Sequence, residues 1–388
     1  MSKYELRAII LNCLFNFGAS LVSLFVSVYL YIYTESLITM TIYSIVQIAF
    51  LGLSSIWAVQ LFGKSKFTIP YALGLILMSS SVTYSLFGTP LFEMSVNYVY
   101  IAAVLIGIGE GFFYFAYSTC NQTVTTLQSR ALFLQYNGIF LNVGGIFAPL
   151  VADIIIDTSA SDIIGYTKIL YLIVAIFAIV ILISLTINVK PENKDIPLVN
   201  ALSLKDKPWR DHQLGYIFYG LMNSLYLNLT GLLIFNAAGG GGLYSKVQLG
   251  FYFVSIISYR LLSSALSKDR IKKTYIIGTV IKIVSIVVLV LFNNIYAAIF
   301  YGVVNSLANV FYDNTHSYIS SMIMSNYYSD DIPARCAFRE AILAVGRIAG
   351  LLIILLFARL FPNNYLLVSV LVLSLAPIVE LILYLPYA

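Results

Sequence analysis

KPENKDIPLVNALSLKDKPWRDHQ, residues 190–213, is the longest polar interruption in a chain that is otherwise almost continuously apolar. Six apolar stretches precede it and six follow. Each runs for about 20 residues or more, the length a helix rising roughly 1.5 Å per residue needs to cross a bilayer core of about 30 Å. The spans predicted this way are 8–32, 37–62, 67–87, 96–122, 131–157 and 163–188, then 214–237, 244–266, 273–292, 295–322, 335–361 and 363–387. Charges in the interruption alternate in sign (Lys194, Asp195, Lys205, Asp206, Lys207, Arg210, Asp211), which predicts a solvated, partly helical linker, with lipid headgroups as the alternative contact. The fold class is therefore all-α membrane protein, twelve transmembrane helices in two pseudo-symmetric bundles of six, 1–189 and 214–388, joined by 190–213.

Composition agrees with that class. Hydrophobic residues make up 60% of the 388 and charged residues 10%, and mean hydropathy is +0.91, more apolar surface than a soluble core requires. The first stretch extends from Leu6 to about Ile32, too long for a signal-peptide core, so it is kept as a span. An even number of spans places both termini on one side. Lys3, Arg7, Lys64, Lys66, Arg130, the linker cations, Lys268, Arg270, Lys272, Lys273 and Arg335 share that side. The opposite loops carry Glu35, Glu93, Asp157 and Asp162, with Lys246 the exception. Both termini are expected in the cytoplasm and the protein in the plasma membrane. The net charge of +5 records this bias, which leaves nucleic acid without support as a partner. Cys13, Cys120 and Cys336 are dispersed and predict neither a disulfide framework nor a thiolate metal site.

The halves resemble each other in detail. A shift of 205 residues lays Arg130, Phe133 and Gly145 over Arg335, Phe338 and Gly350; a shift of 195 lays Gly107 and Tyr117 over Gly302 and Tyr312. Over its full length the chain resembles a major facilitator superfamily permease. Asp331-Ile-Pro-Ala-Arg-Cys-Ala-Phe-Arg-Glu340 with Val345-Gly-Arg-Ile348, and Gly107-Ile-Gly-Glu-Gly-Phe-Phe-Tyr114, are similar to the YqgE-type group of bacterial transporters within it. The resemblance implies a rocker-switch fold with one central site. The superfamily's acidic loop after the second helix is replaced here by Leu61-Phe-Gly-Lys-Ser-Lys66, whereas its counterpart Ser267-Lys-Asp-Arg270 keeps an Asp-Arg pair. Gly144-Gly-Ile-Phe-Ala-Pro149 loosely resembles the Gly-Pro signature of proton-driven exporters, with close helix packing as the alternative reading.

Chemistry inside such a chain comes from ionisable groups within the spans, because a charge in hydrocarbon costs several kcal/mol unless it meets a partner or water. Glu110 lies near mid-span on the fourth helix and Arg347 at similar depth on the eleventh, so the two are candidates to pair across the site and yield to an anionic substrate or a proton. A permanent packing ion pair is the alternative. Asp313 and His316, three apart on the tenth helix, with Arg339 and Glu340 at the start of the eleventh, form a second candidate cluster, read either as a proton relay or as a gate latch. Asn137, Asn142, Asn305 and Asn309, with Asn12, Asn16, Gln47, Asn223 and Asn228, are read as cavity lining or interhelical glue. Tyr29, Tyr31 and Tyr33 suit an aromatic belt, while Tyr114, Tyr117, Tyr136 and Tyr226 lie deeper. Lys282 and Arg260 receive no role.

No enzyme is expected. His212 and His316 are the only histidines, and with His212 placed in the linker they cannot ligate a haem; the run Gly239–Gly242 lacks the Lys-Ser/Thr of a phosphate-binding loop. No cofactor or metal is expected. The expected partners are a small-molecule substrate, protons and membrane lipids, around a monomer. The function this predicts is secondary transport by alternating access, proton-coupled and outward; a non-transporting scaffold and a lipid flippase are the alternatives.

Overall fold

In the computed structural model of the protein the described residues are 1–34, 37–63, 65–88, 92, 94–187, 201–238, 241–267, 269–292 and 294–388; side chains of 23–34, 37, 96, 162–163, 226–233, 235–238, 241–249 and 263 stand outside the description. The linker stretch 190–200, Glu35, Lys64, Glu93, Gly239, Gly240 and Lys268 lie outside the described residues, as do the side chains of Tyr29, Tyr31, Tyr33, Asp162, Tyr226, Asn228 and Lys246.

Among the described residues twelve long helices succeed one another: α1 Lys3–Thr34, α2 Leu37–Phe62, α3 Thr68–Phe87, α4 Val99–Val124, α5 Arg130–Asp157 and α6 Asp162–Leu185. Then come α7 Lys207–Ala238, α8 Gly241–Tyr259, α9 Ile271–Phe292, α10 Ile295–Tyr327, α11 Ile332–Leu360, and α12 in two pieces, Tyr365–Leu373 and Ala376–Tyr384. Ten stretches among the described residues are long and apolar enough to cross a membrane. The helices are apolar on nearly every side, as lipid-facing helices are, since their backbone groups must be satisfied within the helix itself. Within α10, residues Asn309–Asp313 wind as one π-turn.

The start of α7 differs from the sequence expectation. Lys205, Asp206, Lys207 and Arg210 are exposed, but Trp209, His212 and Gln213 are buried, and the Trp209 indole and the Gln213 amide both donate to the Ala201 carbonyl at 2.6 and 2.9 Å. The charged letters belong to one face of an amphipathic first turn, with Pro208 at an early position where its missing N–H costs nothing.

Two compact units emerge. The first comprises Met1–Thr126, Phe140–Leu198 and Asp330–Ala341; the second comprises Leu127–Ile139, Val199–Ser329 and Ile342–Ala388. Each reuses the same glycine contacts. In the first, a Cβ on Gly74 of α3 would stand 2.6 Å from the Gly109 carbonyl of α4; in the second, a Cβ on Gly278 of α9 would stand 2.8 Å from the Tyr312 amide of α10. Gly107 likewise lets α4 lie against Gln47 and Phe50 of α2, and Gly302 lets α10 lie against Phe251 of α8. Small residues let helix backbones approach where lipid offers no hydrophobic drive. Gly278→Val is therefore expected to cost at least about 1–3 kcal/mol by overpacking against backbone. Gly250→Ala, with nothing within 4 Å of the added carbon, is expected to be neutral or mildly stabilising. Thermal melts of the two detergent-solubilised variants check this, and equal melting would remove the contact's importance.

Candidate functional site

Among the described residues a dense set of buried ionisable groups lies in the second unit, where α7, α9, α10 and α12 contribute. Lys282 of α9 is 3% exposed, an ammonium group in the middle of an apolar helix. Its Nζ lies 3.2 Å from Asp313 Oδ2, donates to Asn309 Oδ1, and stands 5.5 Å from the centre of the Tyr312 ring. Asn309, Tyr312 and Asp313 all belong to the π-turn of α10. A π-turn inserts an extra residue per turn and so re-aims side chains, which is why such turns gather at functional sites. Asn314 supports the distortion, its amide donating to the Val310 carbonyl at 3.1 Å and to the Tyr259 hydroxyl at 3.2 Å.

One turn further, His316 is 1% exposed and its Nδ1 lies 2.6 Å from Oε1 of Glu380, which is fully buried on α12. Tyr275 of α9 and Tyr312 of α10 also donate their hydroxyls to that carboxylate. The imidazole stacks between Tyr219 of α7 (4.0 Å, 9°) and Tyr384 of α12 (5.1 Å, 10°). Three donors converging on one carboxylate are what a charge removed from water requires.

The other predicted residues are distributed as follows. Glu110 is half-buried on α4 in the first unit and accepts from the Gln47 amide of α2 at 2.9 Å. Arg347 is half-buried on α11 in the second unit; its Nε is buried with no hydrogen-bond partner among the described residues. It occupies the side of α11 opposite the exposed stripe of Val345, Leu352 and Leu356, and its backbone passes against Gly220 of α7. Of the four residues expected as one cluster, Asp313 and His316 lie in the second unit, while Arg339 and Glu340 lie in the first, 2.7 Å apart, with Ser118 donating to Glu340 at 2.9 Å. Asn137 and Asn305 are buried, Asn142 is half-buried and Asn309 serves Lys282. Asn16 donates to the Leu141 carbonyl at 2.8 Å and Asn12 to Asn121 at 3.4 Å, which is interhelical bonding. His212 is a buried residue of α7, not a linker residue.

Sequence reasoning misses Lys282 as a participant and Glu380 altogether. Glu380 stands alone among apolar residues, the same signal that singles out Glu110. Lys282 is likewise the one charge between Lys273 and Phe292.

Residues 8–330 match the family described as Major Facilitator Superfamily. The chain belongs to that superfamily. It is 22% identical over 288 residues to Uncharacterized protein YqgE of Bacillus subtilis (strain 168), a match covering 72% of this chain and 65% of that relative, so the chain spans about two thirds of the relative's length. Superfamily architecture is also evident in solved structures. A bacterial homologue of the iron transporter ferroportin in an outward-facing state superposes with TM-score 0.76 at 11% identity, covering 100% of this chain and 99% of that one. FucP, the E. coli fucose:proton symporter, in its outward conformation gives 0.73 at 14% identity over 100% of both chains. The human organic anion transporter MFSD10 (TETRAN) gives 0.68 at 10% identity over 98% of both. These likenesses establish the fold: a multi-pass, all-helical membrane protein of two pseudo-symmetric six-helix bundles.

Proposed function

We propose that this superfamily member is a proton-coupled secondary transporter that moves a small solute across the plasma membrane by alternating access, with both termini cytoplasmic. One observation carries the reading: a fully buried carboxylate, Glu380, meets a buried histidine, His316, at 2.6 Å in a cluster that also holds the Lys282–Asp313 pair. Ionisable groups inside a membrane span mark proton and substrate pathways, and a carboxylate there couples transport when it exchanges a proton only as the helices around it rearrange. A fucose:proton symporter of the same fold is a precedent for such coupling in this architecture. Glu110 and Arg347 are proposed as solute contacts. The buried Nε of Arg347, without a hydrogen-bond partner among the described residues, supports a solute bearing an anionic group, since a guanidinium prefers the fork of a carboxylate or phosphate. Asp313, His316, Arg339 and Glu340 serve proton movement or gating in this reading. The outward direction rests on the Gly144–Pro149 stretch of α5.

Proteoliposomes with an imposed pH gradient test the proposal against a panel of labelled carboxylates and phosphate esters. Accumulation that follows the gradient and collapses with a protonophore is expected, and the sign of the gradient that drives it gives the direction. A scaffold would show no flux with any solute, and a flippase would move a labelled lipid instead.

A further inference from the structure

The mechanism above uses Glu380 and His316 but leaves open how a proton reaches a carboxylate that has no exposed surface. We propose that the proton travels inside the second unit, along a path from the start of α7 through His212, Ser320, Tyr216 and His316 to Glu380. The inference rests on the proton-coupled reading and names its route.

The path is built from short contacts. Glu380 Oε1 meets His316 Nδ1 at 2.6 Å, and the opposite ring nitrogen, His316 Nε2, is buried without a hydrogen-bond partner among the described residues. A buried imidazole nitrogen left unbonded costs free energy unless something polar reaches it, so a second relay group is expected on that side. Ser320 follows His316 by four residues on α10 and therefore shares its face. Tyr216 of α7 donates its hydroxyl to Ser320 Oγ at 3.1 Å, and its ring lies 4.5 Å from the His316 ring. On the far side of Ser320, His212 Nε2 is 2.9 Å from the same oxygen. His212 in turn stacks on Trp209 at 4.6 Å, within one turn of the exposed Lys207 and Arg210. Two histidines, a serine and a tyrosine are groups that both accept and donate a proton.

The step balances. A proton entering at His212 releases the one on its other nitrogen to Ser320, the hydroxyls of Ser320 and Tyr216 pass one on by rotation, and a single bridging water completes the reach to His316 Nε2. His316 then gives its Nδ1 proton to Glu380. One proton enters, one arrives, and the histidines differ only in tautomer. Other titratable or charged groups packed on the path are Tyr275 and Lys282 from α9, Tyr312 and Asp313 from α10, Tyr219 and Asp211 from α7, and Tyr384 from α12. Lys282 pairs with Asp313, Asp211 is engaged by Arg210 and Tyr387, Tyr275 and Tyr312 donate to Glu380 itself, and Tyr384 donates to the His212 carbonyl.

The test follows the carbonyl stretch of protonated Glu380 by infrared difference spectroscopy after a pH jump on the full-length protein in liposomes. The band is assigned by its loss in Glu380→Gln. Ser320→Ala and Tyr216→Phe are expected to slow its appearance about tenfold or more, a barrier raised by roughly 1.4 kcal/mol, without moving the pH at which it is half-formed. Ser320→Thr, which keeps the hydroxyl, is expected to restore the rate. His212→Phe should act like Ser320→Ala; if it does not fold, the two conservative variants carry the result. Wild-type rates in both Ser320→Ala and Tyr216→Phe would overturn the path while leaving proton coupling intact. A wild-type protein with no Glu380 band between about pH 5 and 9 would overturn the coupling reading and the path together.

Discussion

Glu380→Gln is expected to abolish accumulation driven by a pH gradient while leaving a folded, monodisperse protein. The carboxylate receives hydroxyl donors from Tyr275 and Tyr312 and the imidazole of His316, drawn from two further helices, so its charge state is felt by α9, α10 and α12 at once. Protonation weakens those charge-assisted bonds together, because a neutral carboxyl accepts less strongly and brings a donor of its own. Glutamine imitates that protonated state permanently. It keeps the volume and one acceptor oxygen, and its amide donor can be met by a tyrosine hydroxyl that rotates, so the packing should survive. Uphill transport needs the group to alternate between two charges, and glutamine cannot. The loss should be of the size a positioned proton-transfer group contributes in catalysis, about a hundredfold or more. Downhill solute exchange, which consumes no proton, should persist. Measuring both in the same vesicles separates the two roles, and undiminished accumulation in the variant would remove Glu380 from coupling.

Much of the fold was legible because hydrocarbon imposes a single rule on every span, and that rule shows as length and polarity. Eleven of the twelve predicted stretches begin within about five residues of the start of a helix in the structure. The start of α7 was not legible: Lys205, Asp206, Lys207 and Arg210 look like linker charge, and only packing reveals that Trp209 and His212 sit on the other side of the same turn. The candidate site was legible in part. Asp313 and His316 stand out as ionisable residues in a span and share a face, yet their partners come from α9 and α12, which no local spacing connects to α10. The π-turn is invisible to apolar periodicity, because it changes hydrogen-bond register without changing residue type. Nor could spacing show that the early part of α5 packs with the second unit and the early part of α11 with the first, since those groupings rest on contacts distant in sequence.

The second large effect is expected from Lys282→Met. In that variant Asp313 keeps its charge beside Tyr312 and Asn309 but loses the ammonium group 3.2 Å away, while Asn309 loses its donor. Removing one member of a buried ion pair costs about 3–5 kcal/mol, because the remaining charge is stranded. The Asp313 side chain is 30% exposed, so partial solvation should hold the cost near about 3 kcal/mol. Asp313→Asn alone should be milder in stability if Lys282 can give up its proton, and the double variant Lys282→Met with Asp313→Asn should regain most of the loss, since an apolar chain beside a neutral amide strands nothing. A double-mutant cycle on thermal stability therefore distinguishes a pair that holds α9 to the π-turn from two independent polar residues: strong coupling supports the pair, and additive losses would sink it. The same cycle read in transport separates stability from function. If the pair only holds helices together, the double variant should transport as it melts, nearly normally. If instead Asp313 must change charge during the cycle, the repacked double variant will be stable and inactive, because asparagine can neither take up nor release a proton.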